Sequence, residues 1–161
     1  MSFIKNKFIL NIILVFSIFA LIVAYFIQYV LSHQPCNLCL IERIPYFVAI
    51  IFIFLIFFLN KYEKFFSLVI GLFFIFGAIV SFYHFGIEQG FFSESLVCDL
   101  GNSNKATSAR DLLKQLEKNT VSCKDVTFRI LGLSLATFNT IISIIISVIM
   151  YKIFINYDKN K

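Results

Sequence analysis

The apolar positions of the chain fall into four long runs, each free of formal charge and flanked by polar or charged residues. The runs cover residues 8–31, 44–59, 65–83 and 130–151. At 1.5 Å per residue the first run would form a helix of about 36 Å, and the hydrocarbon core of a bilayer is about 30 Å thick. The second run is shorter, so we expect its helix to begin upstream, near residue 40, with Pro45 tolerated in its first turns. The pattern predicts four transmembrane helices, at about 8–31, 40–59, 65–83 and 130–151.

The first run could also be read as a secretory signal peptide, since Lys5 and Lys7 precede it. It is longer than the usual apolar core of such a peptide, about 7–15 residues, and no small-residue cleavage site follows it. We therefore expect a retained span.

The overall composition agrees with a chain whose solvent is largely lipid. Of its 161 residues 60% are hydrophobic and 14% charged, with 22 Phe and no Trp. Soluble domains are about half apolar and a quarter charged, so a soluble enzyme is excluded. Six glycines and two prolines leave no room for a flexible linker, and we expect a single membrane domain over residues 1–161, an all-α protein built as a four-helix transmembrane bundle.

The distribution of charge indicates the orientation. The net charge is +5, but the basic residues flank the apolar runs instead of forming one stripe, so no nucleic-acid partner is expected. Residues 1–7, 60–64 and 152–161 carry seven basic and two acidic residues among 22, whereas residues 32–43 and 84–129, on the other side, carry seven of each among 58. The positive-inside rule predicts cytoplasmic termini and outward loops at about 32–39 and 84–129.

A short amphipathic helix is predicted inside the second outward loop. Ala109, Leu112, Leu113 and Leu116 recur at helical spacing after Ser108, a residue that favours helix N-termini. The helix would extend to about residue 118 and lie on the membrane surface or on the outer face of the protein.

All four cysteines, Cys36, Cys39, Cys98 and Cys123, lie in the two loops assigned outside. Cysteine used only as a small apolar filler would also occur in the spans. Disulfides persist in oxidising compartments such as the bacterial periplasm, so the distribution indicates redox chemistry. Four cysteines allow three pairings, and the sequence does not choose among them.

Cys36 and Cys39 form a C-x-x-C motif at the outer mouth of the second span. If helix begins at Cys36, then Cys36, Cys39 and Arg43 share roughly one face, and the cation and helix N-terminus would favour a thiolate. A zinc site is disfavoured because Cys98 and Cys123 are separated by 24 residues instead of two and both histidines sit away from these two cysteines in sequence, so no metal is expected. A thioredoxin-like domain would need a βαβ pattern, which is absent.

A redox pair at the lipid boundary needs an electron acceptor. The sequence has no C-x-x-C-H haem motif and no G-x-G-x-x-G nucleotide motif. A quinone dissolved in the bilayer is the acceptor that this placement permits.

Several segments in order along the chain resemble the DsbB family of disulfide bond formation proteins. They are QPCNLCLIER at 34–43, YHFGIE at 83–88 ahead of Cys98, and ILGLSL at 130–135 followed by Asn139. The resemblance extends from the first span to the last. Vitamin K epoxide reductase proteins, which are related, place the loop pair before the C-x-x-C, so the order here argues against them.

The resemblance implies a relay of disulfide exchange in a bacterial inner membrane. Cys98 and Cys123 would accept electrons from a soluble, periplasmic DsbA-type partner of thioredoxin fold, with Cys98 forming the mixed disulfide. These thiols would reduce the Cys36–Cys39 disulfide, and Cys39 would pass two electrons to ubiquinone or menaquinone. Arg43 and His84 match quinone-site positions.

Two further positions qualify the resemblance. Glu42 also matches, but an exposed carboxylate beside Arg43 is more often a local ion pair of little energy, and we expect that here. Phe128 and Phe138 stand where relatives often have Trp.

Three alternatives remain from the sequence. The chain could be a membrane scaffold with two structural disulfides, or a DsbI-like paralogue that serves a dedicated partner. A transporter is disfavoured, since no span carries an ionisable residue at its centre.

Overall fold

The computed structural model describes residues 2–59, 62–93, 129–130 and 133–159. These residues form almost only helices. In chain order the elements are α1 (Ser2–Tyr29), α2 (Asn37–Ile41), α3 (Ile44–Phe58), α4 (Glu63–Glu88), β1 (Arg129–Ile130), β2 (Leu133–Ser134) and α5 (Leu135–Lys159).

The helices form four segments long and apolar enough to cross a membrane. They are Asn6–Tyr29, Asn37–Phe58, Glu63–Glu88 and Leu135–Asn156. The all-α, four-span fold class predicted from the sequence is thereby confirmed. The predicted helix at 108–118 lies outside the described residues, as do Cys98 and Cys123.

The second span is broken into α2 and α3 at Glu42 and Arg43, and Pro45 explains the break. Proline has no N–H to donate to the carbonyl four residues earlier, and its ring clashes with that carbonyl inside a helix. Here Pro45 lies in the first turn of α3, where no donor is needed. The chain therefore closes α2 at Ile41 and starts a new helix at Ile44. Glu42 and Arg43 are the two residues between α2 and α3, and their side chains contact different helices.

Helix α4 continues beyond Tyr83, the predicted end of the span, to Glu88. The absence of charge defined the predicted end, but a glycine ends the helix in the structure. Gly90 has φ of 77°, and the Phe91 N–H donates to the Gly86 carbonyl at 2.8 Å. This left-handed glycine is a common way to close a helix C-terminus. Because the helix runs on, His84 and Glu88 lie one turn apart on the same face.

Helix α5 begins later than the apolar run that predicted it. The backbones at Arg129–Ile130 and Leu133–Ser134 pair as a two-residue antiparallel ladder. Ser134 then caps the helix, because its Oγ accepts from the Thr137 N–H at 3.3 Å. Such a cap satisfies one of the free N–H groups in the first turn.

All four spans contribute to one apolar core. Leu10 from α1, Ile53 from α3, Phe74 from α4 and Met150 from α5 are each fully buried. Helix α4 packs most extensively against α5, and α3 packs against both α1 and α4. Large apolar side chains also cover the outer surface, as with Phe58 at 82% exposed. A soluble monomer does not expose apolar surface on this scale, so these faces are suited to lipid.

Two glycines of α4 give a matched test of this packing. A Cβ on Gly77 would lie 2.8 Å from Cγ of Pro45, whereas a Cβ on Gly71 would lie 3.5 Å from Cβ of Met150. We expect Gly77→Ala to destabilise the protein by about 1–3 kcal/mol through overpacking. Gly71→Ala should be neutral or stabilising by up to about 1 kcal/mol, since alanine favours helix. Thermal unfolding in detergent measures both; equal effects would contradict the close α3–α4 contact.

Candidate active site

The C-x-x-C motif lies at one end of the bundle, where Cys36 caps α2. The Cys39 N–H donates to Cys36 Sγ at 3.3 Å, and the two sulfurs lie 2.8 Å apart as free thiols. Cys36 is 6% exposed and Cys39 is half-buried. The two sulfurs are therefore close enough to form a disulfide without movement of the backbone.

His84 brings an acid–base group to the buried sulfur. Its Nε2 lies 3.6 Å from Cys36 Sγ, and its Nδ1 lies 2.7 Å from Oε1 of Glu42. A carboxylate only accepts hydrogen bonds, so Nδ1 carries the proton in this pair. In a neutral imidazole Nε2 then faces the thiol as an acceptor, and after proton transfer it donates to the thiolate. Cys36, His84 and Glu42 have the arrangement of a nucleophile, a base and the group that orients the base.

The second oxygen of Glu42 is held by Asn139, which itself contacts polar side chains of two other helices. Oε2 of Glu42 accepts from Nδ2 of Asn139 at 2.9 Å, and the same Nδ2 contacts Oγ of Ser81 at 2.6 Å. The Tyr46 hydroxyl donates to Oδ1 of Asn139. Glu42 is only 9% exposed. The expectation of an exposed carboxylate paired with Arg43 is wrong, because the Glu42 side chain points into the bundle and contacts His84 and Asn139.

A second carboxylate reaches His84 from the same helix. Oε1 of Glu88 lies 3.6 Å from Nε2 of His84, and the Glu88 side chain is 6% exposed. Its Oε2 has no hydrogen-bond partner among the described residues. The site thus holds more acceptor capacity than its described contacts use.

These contacts favour ionisation of Cys36. The Cys39 thiol, which hydrogen-bonds to Cys36 Sγ, makes the largest contribution, and His84 adds a hydrogen bond and its charge; together they outweigh burial and lower the pKa of Cys36 to about 4. Thiolate, not thiol, is the attacking species in disulfide exchange. The site is therefore built to hold a reactive sulfur at neutral pH.

The low pKa predicts a pH profile for Cys36. For an ordinary thiol of pKa about 8.5, the fraction present as thiolate rises about tenfold with each unit of increasing pH until the pH reaches the pKa. The Cys36 thiolate forms above the lowered pKa, so its alkylation by iodoacetamide should change by less than about twofold between pH 6 and 8. Mass spectrometry of the reduced, labelled chain reports the rate at this residue, with glutathione as the reference. A rate that rises with the slope of glutathione would contradict the assignment.

The Arg43 side chain points toward α1, whereas the Glu42 side chain points toward α4 and α5. Nη1 of Arg43 donates to Oε1 of Gln28 at 2.7 Å, and its Cζ lies 5.0 Å from the ring centroid of Tyr25. The sequence placed Arg43 on one face with the cysteines, but its guanidinium contacts α1 instead. The ring nitrogen that faces Cys36 Sγ belongs to His84.

An apolar groove about 480 Å³ in volume adjoins Arg43. It lies between α1 and α3 and is lined by Tyr25, Phe26, Val30, Phe47 and neighbouring Ile and Leu residues. Tyr25 therefore contacts both the groove and the guanidinium. A groove of this composition suits a lipid-soluble ligand whose polar head is held by a cation.

The structure brings together some of the residues singled out from the sequence. Cys36, Cys39 and His84 lie within one cluster, and Arg43 is beside the groove. The network through Tyr46 and Ser81 had no sequence signal, because single polar residues in apolar runs do not reveal which helix they face.

The chain is similar to known proteins over most of its length. The model of the family described as disulfide bond formation protein DsbB matches residues 6–153. An uncharacterized protein of Rickettsia prowazekii (strain Madrid E) is 27% identical over 161 residues, covering 98% of this chain and 94% of its own length. No solved structure matches the chain.

Proposed function

The chain belongs to the DsbB family of disulfide bond formation proteins, and from this membership and the Cys36–His84–Glu42 site we propose that it oxidises the thiols of a soluble DsbA-type partner with membrane quinone as electron acceptor. Family membership makes it a multi-pass membrane protein of disulfide formation. The partner, the acceptor and the order of sulfur exchange are the proposal.

Electrons and protons balance in the proposed reaction. The two thiols of the partner become a disulfide, and quinone becomes quinol, so two electrons and two protons leave the partner and reach the acceptor. The partner thiolate attacks the Cys98–Cys123 disulfide, and the thiols released there reduce the Cys36–Cys39 disulfide. Cys39, the more exposed of the pair, passes the electrons on.

In this scheme His84 donates a proton to the Cys36 thiolate and takes it back. As Cys36 leaves its disulfide it becomes a thiolate, which the imidazolium at Nε2 stabilises and can protonate. Glu42 stabilises the imidazolium through Nδ1, and Asn139 fixes the carboxylate. A permanent structural disulfide would need no buried base beside it, so this one contact, between His84 and Cys36, favours the oxidoreductase over the scaffold.

A quinone fits the groove beside Arg43. The guanidinium supplies a donor for a carbonyl oxygen, and the apolar wall suits an isoprenoid tail. When bound, quinone supplies the two-electron sink that thiol exchange lacks. The proposed location is the bacterial inner membrane, with the cysteine loops periplasmic and the termini cytoplasmic.

The direct test is reoxidation of a reduced DsbA-type protein by the purified chain in detergent. We expect turnover with added ubiquinone or menaquinone and none without, and loss of quinol formation in the Cys36→Ser/Cys39→Ser variant. Oxidation of the partner at equal rates with and without quinone would contradict the proposal.

Arg43 gives a separate prediction for the acceptor. A hydrogen bond to a charged donor contributes about 1.5–3 kcal/mol, so Arg43→Ala should raise the KM for quinone by about 10- to 100-fold. The thiol content and the fold should not change. Gln28→Ala, which removes only the acceptor that holds Arg43, serves as the matched control and should have a smaller effect. An unaltered KM in Arg43→Ala would remove Arg43 from the quinone site.

A further inference from the structure

Three metal-binding side chains converge in the reduced site. Sγ of Cys36, Sγ of Cys39 and one ring nitrogen of His84 all lie within 4.8 Å of one another. The sequence argued against zinc because Cys98 and Cys123 are far apart and both histidines lie away from these two cysteines along the chain. Helix α4 overturns that argument by carrying His84 to the motif.

The distances suit a small tetrahedral ion. With bonds of about 2.3 Å to sulfur and 2.0–2.1 Å to nitrogen, tetrahedral zinc places a sulfur and a nitrogen about 3.6 Å apart and two sulfurs about 3.7 Å apart. Cys36 Sγ and His84 Nε2 are 3.6 Å apart. The sulfurs, at 2.8 Å, must separate by about 1 Å, which a rotation of the half-buried Cys39 side chain provides.

The surroundings of His84 are also those of a metal ligand. Histidine ligands commonly donate their second N–H to a carboxylate, which fixes the tautomer and strengthens the ligand. Glu42 occupies this position, 2.7 Å from Nδ1, and Asn139 in turn holds Glu42. Nε2 is left facing the sulfurs, as a ligand must.

A fourth ligand is available from Glu88. Its side chain is 6% exposed, with Oε1 3.6 Å from His84 Nε2, and its Oε2 is buried with no partner among the described residues. This unsatisfied oxygen is a second observation that points to a cation.

We propose that the reduced Cys36–Cys39 pair and His84 bind one thiophilic divalent ion, Zn²⁺ or Cd²⁺, with Glu88 or water as the fourth ligand. Binding releases one proton from Cys39 and one from the Cys36–His84 pair, and it transfers no electrons. The disulfide form has no thiolates to offer, so binding is confined to the reduced state. A second consequence rests on the proposed function. The bound ion would inhibit turnover reversibly, because it occupies the Cys36 and Cys39 thiolates that must return to the disulfide.

The test uses Cd²⁺ with the full-length chain in detergent, in which Cys98→Ser and Cys123→Ser remove the other two thiols. Thiolate-to-cadmium absorption in the ultraviolet reports binding. We expect one ion per reduced chain and no such absorption after the Cys36–Cys39 disulfide is formed. Equal binding to the two redox states would overturn the site.

Variants identify the ligands. Loss of an outer carboxylate costs about 10- to 100-fold in metal affinity, so Glu42→Gln should weaken binding by that factor and His84→Ala by at least as much. His33→Ala, at the other histidine and only a few residues before Cys36, is the control and should leave affinity within about twofold. Unchanged affinity in both His84→Ala and Glu42→Gln would overturn the inference, as would loss of binding in His33→Ala alone. Circular dichroism and gel filtration establish that each variant is folded.

This test is separable from the proposed function, because the titration contains neither quinone nor partner. A chain that binds Cd²⁺ but oxidises no thiols with quinone keeps the metal site and overturns the proposed function. A chain that oxidises thiols with quinone but fails to bind Cd²⁺ keeps the proposed function and overturns the metal site.

Discussion

Replacing Cys39 with serine is expected to reduce quinone-dependent oxidation of the partner to the background rate, a loss of about a thousandfold or more, or about 4 kcal/mol in the barrier. Serine keeps the size of the side chain and an O–H beside Cys36, but no Cys36–Cys39 disulfide can form. The chain can then no longer accept two electrons at this position. Quinol formation, followed by its absorbance, measures the effect.

The matched control is Leu40→Ser, which introduces the same side chain at the next residue. Leu40 is 45% exposed on the outer surface of the bundle and has no part in the sulfur chemistry. It should retain turnover within about threefold, as expected for a substitution away from the site. Turnover by Cys39→Ser at the rate of Leu40→Ser would refute the assignment of the pair. Rapid alkylation of Cys36 in the Cys39→Ser chain would show that the site itself is intact.

Removal of His84 should produce the second large effect, on stability and reactivity together. His84 and Glu42 are 4% and 9% exposed, so His84→Ala leaves a buried carboxylate without its partner. Breaking a buried pair in this way costs about 3–5 kcal/mol. The pKa of Cys36 should rise as well, because His84 contributes to lowering it. Less thiolate would then be present at pH 7, and alkylation of Cys36 should slow.

A double-mutant cycle separates the two causes. His84→Ala/Glu42→Gln removes the unpaired charge together with the imidazole, so it should recover part of the stability lost in His84→Ala. It should not restore the reactivity of Cys36, since the base is still missing. Thermal unfolding in detergent and pH-dependent alkylation are the two measurements. A double variant no more stable than His84→Ala would contradict the ion pair.

The sequence predicts the spans well because burial in lipid leaves a long, simple pattern. Four apolar runs without charge require four crossings, and the structure confirms that fold class. Helix ends are less well predicted, since formal charge was used to mark them. Gly90 ends α4 and the pairing of β1 with β2 delays α5, and neither is a change in hydropathy.

The candidate site shows what spacing alone does not predict. Cys36 and Cys39 are adjacent in one motif and were found directly. The role of Glu42 depends on which face of the second span packs against α4 and α5, and spacing within the span does not reveal that face. The partners of Glu42 come from α4 and α5, and only packing brings them together.

The step from Glu42 to Arg43 has a consequence for how the protein can diversify. Two consecutive residues face opposite sides of the second span, one toward the histidine and one toward α1. Under the proposed function, proton handling and acceptor recognition are thus assigned to separate walls of the bundle. Substitutions along α1 could retune which quinone is accepted while the sulfur chemistry is inherited intact.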